Sequence, residues 1–289
     1  MAVRTDLAIE TARQLSLHSD IKGVRRRINL VPEAEAEISE ITVLTDEAAR
    51  LIGRPKGRYV TVRSTCGALD AFAPCFDRRC RLIASIVKRL CRGAGSVLAA
   101  GLGNRSITAD SVGPLCCDRL FATRHIKNLS TELDTGVLGE LSVIAPGVLG
   151  NTGIEATEQI AAVCGAVRPD AVIAVDALAC SEIDHLGQTI QLCDTGIHPG
   201  SGVENSRKEL SEKTLGVRCI AIGVPMVIDL STAAEKIFGR SAPEGAAGMT
   251  VTPGSVDKLA ASAAEYIAMG INLAMHPTLT PAELRALSA

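Results

Sequence analysis

The spacing of apolar residues changes several times along the chain, and each change predicts a structural element. Two alternating runs, Glu37 to Leu44 and Gly57 to Ser64, predict strands, and residues 45–53 between them predict a short helix. From Asp77 onward the apolar residues fall on one helical face, and Gly93 is placed to end that helix. The first third of the chain is therefore predicted to form strands followed by a long amphipathic helix.

Short, continuous apolar runs come next, and each is typical of a strand that is buried on both faces. The spacing of Thr152 and Glu155 fits a capping box and predicts the start of a helix, and Thr252-Pro253 predicts the start of a long helix that continues through Met275. The predicted buried strands are Val97 to Ala100, Leu141 to Val148, Ala171 to Val175, Thr189 to Cys193 and Cys219 to Val224.

This alternation of strands and helices predicts an α/β fold, in which a mostly parallel sheet is covered by helices on both faces. The sequence contains no internal repeat. We expect one domain over residues 1–289, with extra N-terminal strands in a β-rich portion (1–65) packed on the core and a surface excursion at 239–250.

Composition and charge exclude several classes of protein. The 30 basic and 32 acidic residues nearly cancel, so no field of one sign attracts nucleic acid or an anionic membrane. Aromatic residues make up 2% of the chain, too few for the stacking platforms that bind single-stranded nucleic acid. The N-terminus lacks a secretory signal pattern, and no uncharged apolar run approaches the roughly 20 residues of a membrane span. We therefore expect a cytoplasmic protein.

The ten cysteines fit this expectation. No C-x-x-C pair is present, and most of the cysteines lie inside or beside apolar runs, where a free thiol packs as a small hydrophobic group. We expect reduced, buried thiols rather than a structural zinc site.

Two aspartates, Asp110 and Asp176, each follow a predicted buried strand. In an open α/β sheet, ligands bind in the crevice at the carboxyl ends of the strands. Two carboxyl groups in that crevice can share one proton, because like charges a few ångströms apart do not both ionise readily. The pair suits hydrolysis of an unactivated bond. The alternative is that each aspartate only caps the element that follows it.

Further polar residues are expected at the same edge, namely Asn104, Thr108, Glu155, Asp194 and His198. The glycine turn at Gly101 and Gly103 would let the backbone approach a substrate closely. Ser106 stands where a dinucleotide fingerprint needs its third glycine, so we expect no nucleotide cofactor. The predicted substrate contacts are Gly101, Gly103, Asn104, Thr152, Glu155 and His198.

Two readings of the loop from Asp194 to Asn205 stay open. It is long, glycine-rich and polar, which is typical of loops that line a binding cleft, but His198 within it could equally be a surface imidazole. As a functional group, His198 could bind a substrate carbonyl or join Asp110 and Asp176 as a metal ligand, with Glu155 as the alternative third ligand.

Several long stretches resemble the spore germination protease family, and the resemblance covers most of the chain. The stretches are VRTDLAIE (Val3 to Glu10), KGRYVTV (Lys56 to Val62), GLGN with T-x-D (Gly101 to Asp110), TRH (Thr123 to His125), PGVLGNTGIE (Pro146 to Glu155), PDAVIAVDALA (Pro169 to Ala179), TIQLCDTGIHPGSGVEN (Thr189 to Asn205), TLGVRCIAIGVPMVID (Thr214 to Asp229) and VTP near Val251.

The resemblance implies an endopeptidase of the spore core that degrades small acid-soluble spore proteins during germination. The two aspartates proposed as catalytic in that family fall on Asp110 and Asp176. It also implies an aspartic-type mechanism without a cofactor, a homotetramer, synthesis as a zymogen, and a fold related to the hydrogenase-maturation proteases and thus to the phosphorylase/hydrolase-like class. That relation gives weight to the metal-dependent alternative.

The sequence departs from the family pattern in three places. Only Met1 and Ala2 precede the V-R-T-D-L-A stretch, so we expect either a mature-like form or a member that a propeptide does not control. The segment before the final helix is reduced to about Leu230 to Thr250, and Ala109 replaces a proline before the first aspartate. These departures leave a non-catalytic binding homologue as a third possibility.

Overall fold

One sheet runs through the part of the chain that the computed structural model describes, which is residues 5–16, 22–129, 138–197, 209–240, 245–246 and 248–287. Its strands are β1 (Val24–Val31), β2 (Ala36–Val43), β3 (Gly57–Ser64), β4 (Ser96–Gly101), β5 (Glu140–Ile144), β6 (Ala171–Cys180), β7 (Thr189–Cys193), β8 (Arg218–Asp229) and β9 (Thr250–Val251).

Helices connect and flank these strands. They are α1 (Ala8–Ser16), α2 (Asp46–Ile52), α3 (Phe76–Cys91), α4 (Val112–Cys117), α5 (Arg124–Leu129), α6 (Leu149–Thr152), α7 (Ala156–Val167), α8 (Glu212–Leu215), α9 (Leu230–Phe238), α10 (Val256–Met275) and α11 (Pro281–Leu287). Short 3-10 turns occur at Pro32–Ala34, Thr108–Asp110 and Ile183–His185. None of the helices in the described ranges is long and apolar enough to cross a membrane.

The sheet has a parallel half and an antiparallel half. Its order is β1-β2-β3-β7-β8-β6-β4-β5, with β9 paired to the end of β8. Strands β5, β4, β6 and β8 run parallel, whereas β1, β2, β3 and β7 join them through antiparallel pairs. The α/β class is confirmed, but the parallel arrangement extends over one half only.

The direction of β7 follows from the length of the chain before it. Only residues 181–188 connect β6 to β7, fewer than the dozen or so that a parallel crossover requires. The chain therefore returns antiparallel. Because β3 pairs antiparallel with β7, it runs in the same direction as β8, and its carboxyl end lies at the same edge of the sheet as those of β4, β6 and β8.

Helices cover both faces of the sheet. On one face, α3, α4 and α10 pack over the alternate residues of the central strands that include Val97, Ile173 and Ile222. The other face carries two smaller cores. One lies under α7 and contains Leu98 and Ala174, and the other lies under α1, α2 and α9 and contains residues 178, 180 and 228. This two-sided burial explains why the central strands are apolar without alternation.

Strand β6 is longer than its apolar run predicted. Its pairing with β4 ends at Gly101 and Val175, but its pairing with β8 continues to Cys180. Asp176 therefore lies within β6 instead of following it. Beyond Val175, no strand of the described residues pairs with the side of β6 that faced β4. We call this side the free edge of β6, and the polar residues gather along it.

Two further boundaries differ from the sequence expectations. The capping-box prediction was wrong, because Thr152 ends α6 and Glu155 is the N-cap residue of α7. The long helix α10 begins at Val256 with Ser255 as its N-cap, three residues beyond the predicted first turn. Part of the excursion predicted at 239–250 lies outside the described residues.

Candidate active site

A glycine turn wraps around Asp110 after β4. Gly103 has a φ of 107°, and a Cβ at this position would overlap the carbonyl oxygen of Asp110. The next backbone N–H, that of Asn104, donates a hydrogen bond to Oδ2 of Asp110 at 2.8 Å. The loop thus holds the half-buried carboxyl group of Asp110 by close backbone approach, which only glycine permits at position 103.

A second close approach brings this loop against β6. A Cβ on Gly113 would lie 2.5 Å from the carbonyl oxygen of Val175, and one on Gly101 would overlap the carbonyl oxygen of Gly113. The N–H of Leu102 also donates to the Val175 oxygen at 2.8 Å. The first turn of α4 therefore packs directly on the junction of β4 and β6, next to the residue that precedes Asp176.

Asp176 lies at the start of the free edge of β6. Its side chain is 6% exposed, and by the alternation of a strand it shares a face with Ala174 and Leu178, between the cores under α7 and α1. Its Oδ1 accepts a hydrogen bond of 2.9 Å from the N–H of Ala177. Because residues 175, 177 and 179 direct their backbone groups to the same side, this N–H points to where β4 has ended.

The N-terminal segment Thr5–Glu10, which we call the N-terminal clamp, covers the rest of this edge. Asp6 pairs with Ala179 in both directions: its N–H donates to the Ala179 carbonyl at 2.9 Å, and its carboxylate accepts from the Ala179 N–H at 2.8 Å. Gln191 on β7 donates to the Asp6 carbonyl at 2.8 Å and accepts from the N–H of Ala8 at 2.7 Å. The clamp is thus attached to two strands.

Glu10 anchors the clamp in the interior, where its side chain is 1% exposed. Its carboxylate accepts hydrogen bonds from the Ser181 N–H and hydroxyl, both at 2.7 Å, from the Glu182 N–H at 3.1 Å and from the Thr5 hydroxyl. The Nδ1 of His185 lies 2.5 Å away. Burial by itself raises the pKa of Glu10, but the hydrogen bonds from His185, Thr5 and Ser181 outweigh it, so the pKa lies below the ordinary value of 4.5.

The sequence analysis assigned no role to these residues. A local signal was available, because Asp6 and Glu10 are two carboxylates that flank the apolar run Leu7 to Ile9 at the start of α1. Their partners, Ala179, Ser181 and His185, are more than 170 positions away along the chain. Only the folded structure identifies what the two carboxylates bind.

The structure places the other predicted substrate contacts differently. Gly101, Gly103 and Asn104 shape the turn around Asp110, as described above. Thr152 and Glu155 follow β5, at the edge strand beside β4; the Thr152 hydroxyl is exposed and donates to the Ile154 carbonyl at 2.8 Å. Their contact with a substrate stays a prediction. His198 lies outside the described residues.

Thr108 opens the 3-10 turn that carries Asp110, so it lies at the expected edge. Asp194 does not. It follows β7, which runs antiparallel to β6 and β8, and its Oδ1 accepts from the N–H of Arg58 at 2.7 Å, near the start of β3. The expectation that Asp194 joins the other polar groups was wrong, because β7 was taken to run in the parallel direction.

A metal site requires three or more ligand side chains close to one another, and the described residues can be searched for such a group. Among these, the His, Cys, Asp and Glu side chains that come within 4.8 Å of one another in a group of three are Glu35, Cys66 and Cys75. Asp110, Asp176 and Glu155 do not form such a group. The ligand set that includes His198 lies partly outside the described residues and stays a prediction.

The chain is similar to several known proteins. A family model described as germination protease matches residues 3–239. The germination protease of Caldanaerobacter subterraneus subsp. tengcongensis is 33% identical, over 99% of this chain and 98% of that protein. That of Priestia megaterium is 41% identical, over 79% of this chain and 64% of that protein. The solved structure of the NiFe hydrogenase maturation protease HycI from Thermococcus kodakarensis KOD1 matches 64% of this chain and 98% of its own, with 20% identity and a TM-score of 0.38.

The protein is therefore a peptidase, a hydrolase of peptide bonds built on an α/β fold. The family match covers most of the chain, and relatives above 30% identity align with nearly all of it. The chain belongs to the germination protease family, whose members act in spore germination.

Proposed function

We propose that the protein is an aspartic-type endopeptidase in which Asp110 and Asp176 form the catalytic pair. The observation that carries this proposal is the double glycine approach, Gly103 onto Asp110 and Gly113 onto Val175. The first approach holds the loop around Asp110, and the second fixes that loop against β6, next to Asp176. Since such contacts tolerate no side chain at either glycine, they support a site in which the positions of two carboxyl groups matter.

In the proposed reaction, one carboxylate of the pair accepts a proton from a water molecule as that water attacks the scissile carbonyl carbon. The other carboxyl group, which is protonated, donates its proton to the developing oxyanion and later to the leaving amine. The apolar surroundings of Asp176, with Ala174 and Leu178 on the same face, favour a shared proton over two negative charges.

The substrate class rests on family membership. We propose that the substrates are small acid-soluble spore proteins, cleaved in the spore core during germination by a homotetramer of this chain. The near-neutral charge balance of the protein favours no particular peptide. We therefore expect the residues of the cleft, and not the overall charge of the protein, to determine how substrate binds.

Incubation of the purified protein with a small acid-soluble spore protein tests the proposal. We expect cleavage at a defined bond, identified by mass spectrometry, and a loss of at least about 100-fold for Asp110→Asn and for Asp176→Asn. The matched control is Asp46→Asn, at an exposed aspartate on α2 that forms an ion pair with Lys56. This variant should cleave the substrate at the wild-type rate. Wild-type rates in Asp176→Asn would overturn the aspartic pair.

Treatment with a metal chelator distinguishes the aspartic mechanism from the metal-dependent alternative. The aspartic mechanism predicts unchanged cleavage after chelation and no stoichiometric metal in elemental analysis. Loss of activity on chelation, with recovery when a divalent ion is added back, would assign Asp110 and Asp176 to metal binding instead. Absence of any cut in a folded wild-type protein would favour the non-catalytic binding homologue.

A further inference from the structure

The loop between β3 and α3 has one cysteine near its start and another at its end. Of the ten cysteines, Cys66 is the exposed one, Cys117 is half-buried and the other eight are buried. Cys66 follows β3, at the same edge of the sheet as the candidate site, and Cys75 is the N-cap residue of α3. The two residues are nine positions apart in sequence, yet their sulfurs lie within 4.8 Å of each other.

Polar groups converge on the exposed sulfur. Nη2 of Arg79 lies 3.5 Å from Sγ of Cys66, and the hydroxyl of Ser64 lies 3.4 Å from it. The Arg79 side chain is itself 1% exposed and is held in place by hydrogen bonds to the backbone carbonyls of Ala34 at 3.1 Å and Glu35 at 3.0 Å. A fixed positive charge therefore faces a sulfur that solvent can reach, which is the setting of reactive cysteines.

Cys75 differs from Cys66 in its environment. Its side chain is fully buried, and desolvation raises the pKa of its thiol, with Arg79 opposing this and Glu35 and Cys66 adding to it. Cys75 therefore remains a neutral thiol near physiological pH. An exposed sulfur beside a cation, with a second, buried sulfur within reach, is the arrangement of a peroxide-reactive cysteine and a resolving cysteine.

The same group does not fit a metal site well. The carboxylate of Glu35 joins the two sulfurs within 4.8 Å, which provides three ligands where structural zinc takes four. The Arg79 guanidinium also lies beside Cys66, and its permanent charge would repel a divalent cation there. Oxidation of the two thiols meets neither obstacle.

We propose that Cys66 and Cys75 form a reversible disulfide when the protein meets hydrogen peroxide. The Cys66 thiolate attacks one peroxide oxygen, the O–O bond breaks, and Cys66 becomes a sulfenic acid as hydroxide leaves. The Cys75 sulfur then attacks the Cys66 sulfur, the S–O bond breaks, and water leaves with the proton of the Cys75 thiol. In sum, the two thiols lose two electrons and two protons, and peroxide becomes two molecules of water. A small dithiol reverses the reaction by exchange.

Closing the bond requires the sulfurs to approach to roughly 2 Å. The Cys66 sulfur would have to turn toward Cys75 and away from Arg79 and Ser64, whereas the loop between the cysteines is already anchored. The N–H of Leu69 donates to the Gly187 carbonyl at 2.9 Å, and the hydroxyl of Tyr266 donates to the Asp70 carbonyl at 3.0 Å. The disulfide would thus join the end of β3 to the start of α3 without rearranging the loop.

Peptide mapping after peroxide treatment tests the proposal directly. Trypsin cleaves after Arg63 and Arg78, so one peptide, residues 64–78, contains both cysteines and no others. In the oxidised wild-type protein we expect this peptide to lose the mass of two hydrogen atoms, to resist alkylation, and to regain both thiols with dithiothreitol. The other eight cysteines should remain alkylatable once the protein is denatured.

Variants make the order of events visible. Cys66→Ser changes an exposed residue and should abolish the disulfide with no change in unfolding temperature. Cys75→Ala should leave a sulfenic acid on Cys66 that dimedone traps, whereas Cys117→Ser, the matched control at the half-buried cysteine, should oxidise like the wild-type protein. The proposal fails if both thiols of the wild-type peptide stay alkylatable after peroxide, if Cys66 pairs with another cysteine, or if stoichiometric zinc protects the two thiols.

Discussion

Two carboxylate sites lie along the same free edge of β6, and they are built in opposite ways. In the N-terminal clamp, Glu10 is buried and receives hydrogen bonds from Ser181, Glu182 and other groups that the interior supplies. The proposed catalytic residues, Asp110 and Asp176, instead lie where the glycine turn meets the strand, and Asp110 remains half-buried. A carboxylate surrounded by donors stabilises the fold, whereas carboxyl groups positioned by backbone contact at a strand edge are suited to chemistry.

The largest expected effect tests whether the aspartates act as one unit. If Asp110 and Asp176 share one proton and one water, each single Asn variant should lose at least about 100-fold in kcat/KM, and the double variant should be no slower than the slower single one. Peptide cleavage by the three variants measures this, with circular dichroism as the check on folding. Multiplicative losses in the double variant would contradict a shared site.

Mutation of the clamp should lower the stability of the fold and not the rate of catalysis. Glu10→Gln replaces one acceptor oxygen with an NH₂ group that faces buried donors, and we expect it to lower the free energy of unfolding by about 2–4 kcal/mol. Because the chain has no Trp, denaturant unfolding is followed by circular dichroism.

A neighbouring glutamate provides the matched control for the clamp. Glu182→Gln removes a partly exposed ion pair with Lys236, 2.7 Å across, and should cost less than about 1 kcal/mol. Equal costs for Glu10→Gln and Glu182→Gln would show that the buried hydrogen bonds of the clamp contribute no more than a surface pair.

The glycine turn shapes the surroundings of Asp110, and the effect of changing it should be intermediate. Gly103→Ala adds a Cβ that overlaps the Asp110 backbone at a φ of 107°, so we expect about 1–3 kcal/mol of destabilisation and a loss of activity. Gly67→Ala has a similar φ of 100° but open space around the Cβ, so it isolates backbone strain from overlap. If Gly103→Ala and Gly67→Ala have equal activity, the close approach of Gly103 to Asp110 is not needed for the function of Asp110.

The smallest expected effect is a pH dependence that belongs to the clamp. The pKa of Glu10 is lower in the folded protein than its ordinary value of 4.5, so the stability it contributes is fully present above about pH 4.5 and is lost as the pH falls through the folded pKa. The difference in unfolding free energy between wild type and Glu10→Gln should therefore be constant near neutral pH and shrink in acid. A difference that grows on acidification would reverse the assigned sign.

Local patterns predicted most of the elements. The alternating run Gly57–Ser64 matches β3, Thr189–Cys193 matches β7, and the helical face from Asp77 matches α3 within one residue. Strand β1 was not predicted, because it is an edge strand with both faces exposed. Its sequence has three consecutive arginines from Arg25 and therefore no apolar alternation. Its place is decided by pairing with β2, which no local pattern contains.

The candidate site divides in the same manner. The sequence predicted Asp110 and Asp176 from the apolar runs before them, and the glycines from the turn between. It did not predict that β6 continues past Asp176, since that extension depends on pairing with β8, more than 40 residues later. It also placed Asp194 at the wrong edge, because the direction of β7 follows from a short connection and not from its own residues.

By itself, the sequence determined the hydrophobic period of each element, the side chains that could take part in chemistry and the membership of a peptidase family. Tertiary structure decided which carboxylates are buried among donors, which strand edge is left open, and which two of ten cysteines meet. The physical reason is that periodicity and turn formation depend on neighbours a few residues away. Strand pairing, burial and hydrogen-bond satisfaction depend on segments such as Thr5–Glu10 and Ser181, which come together only when the whole sheet has formed.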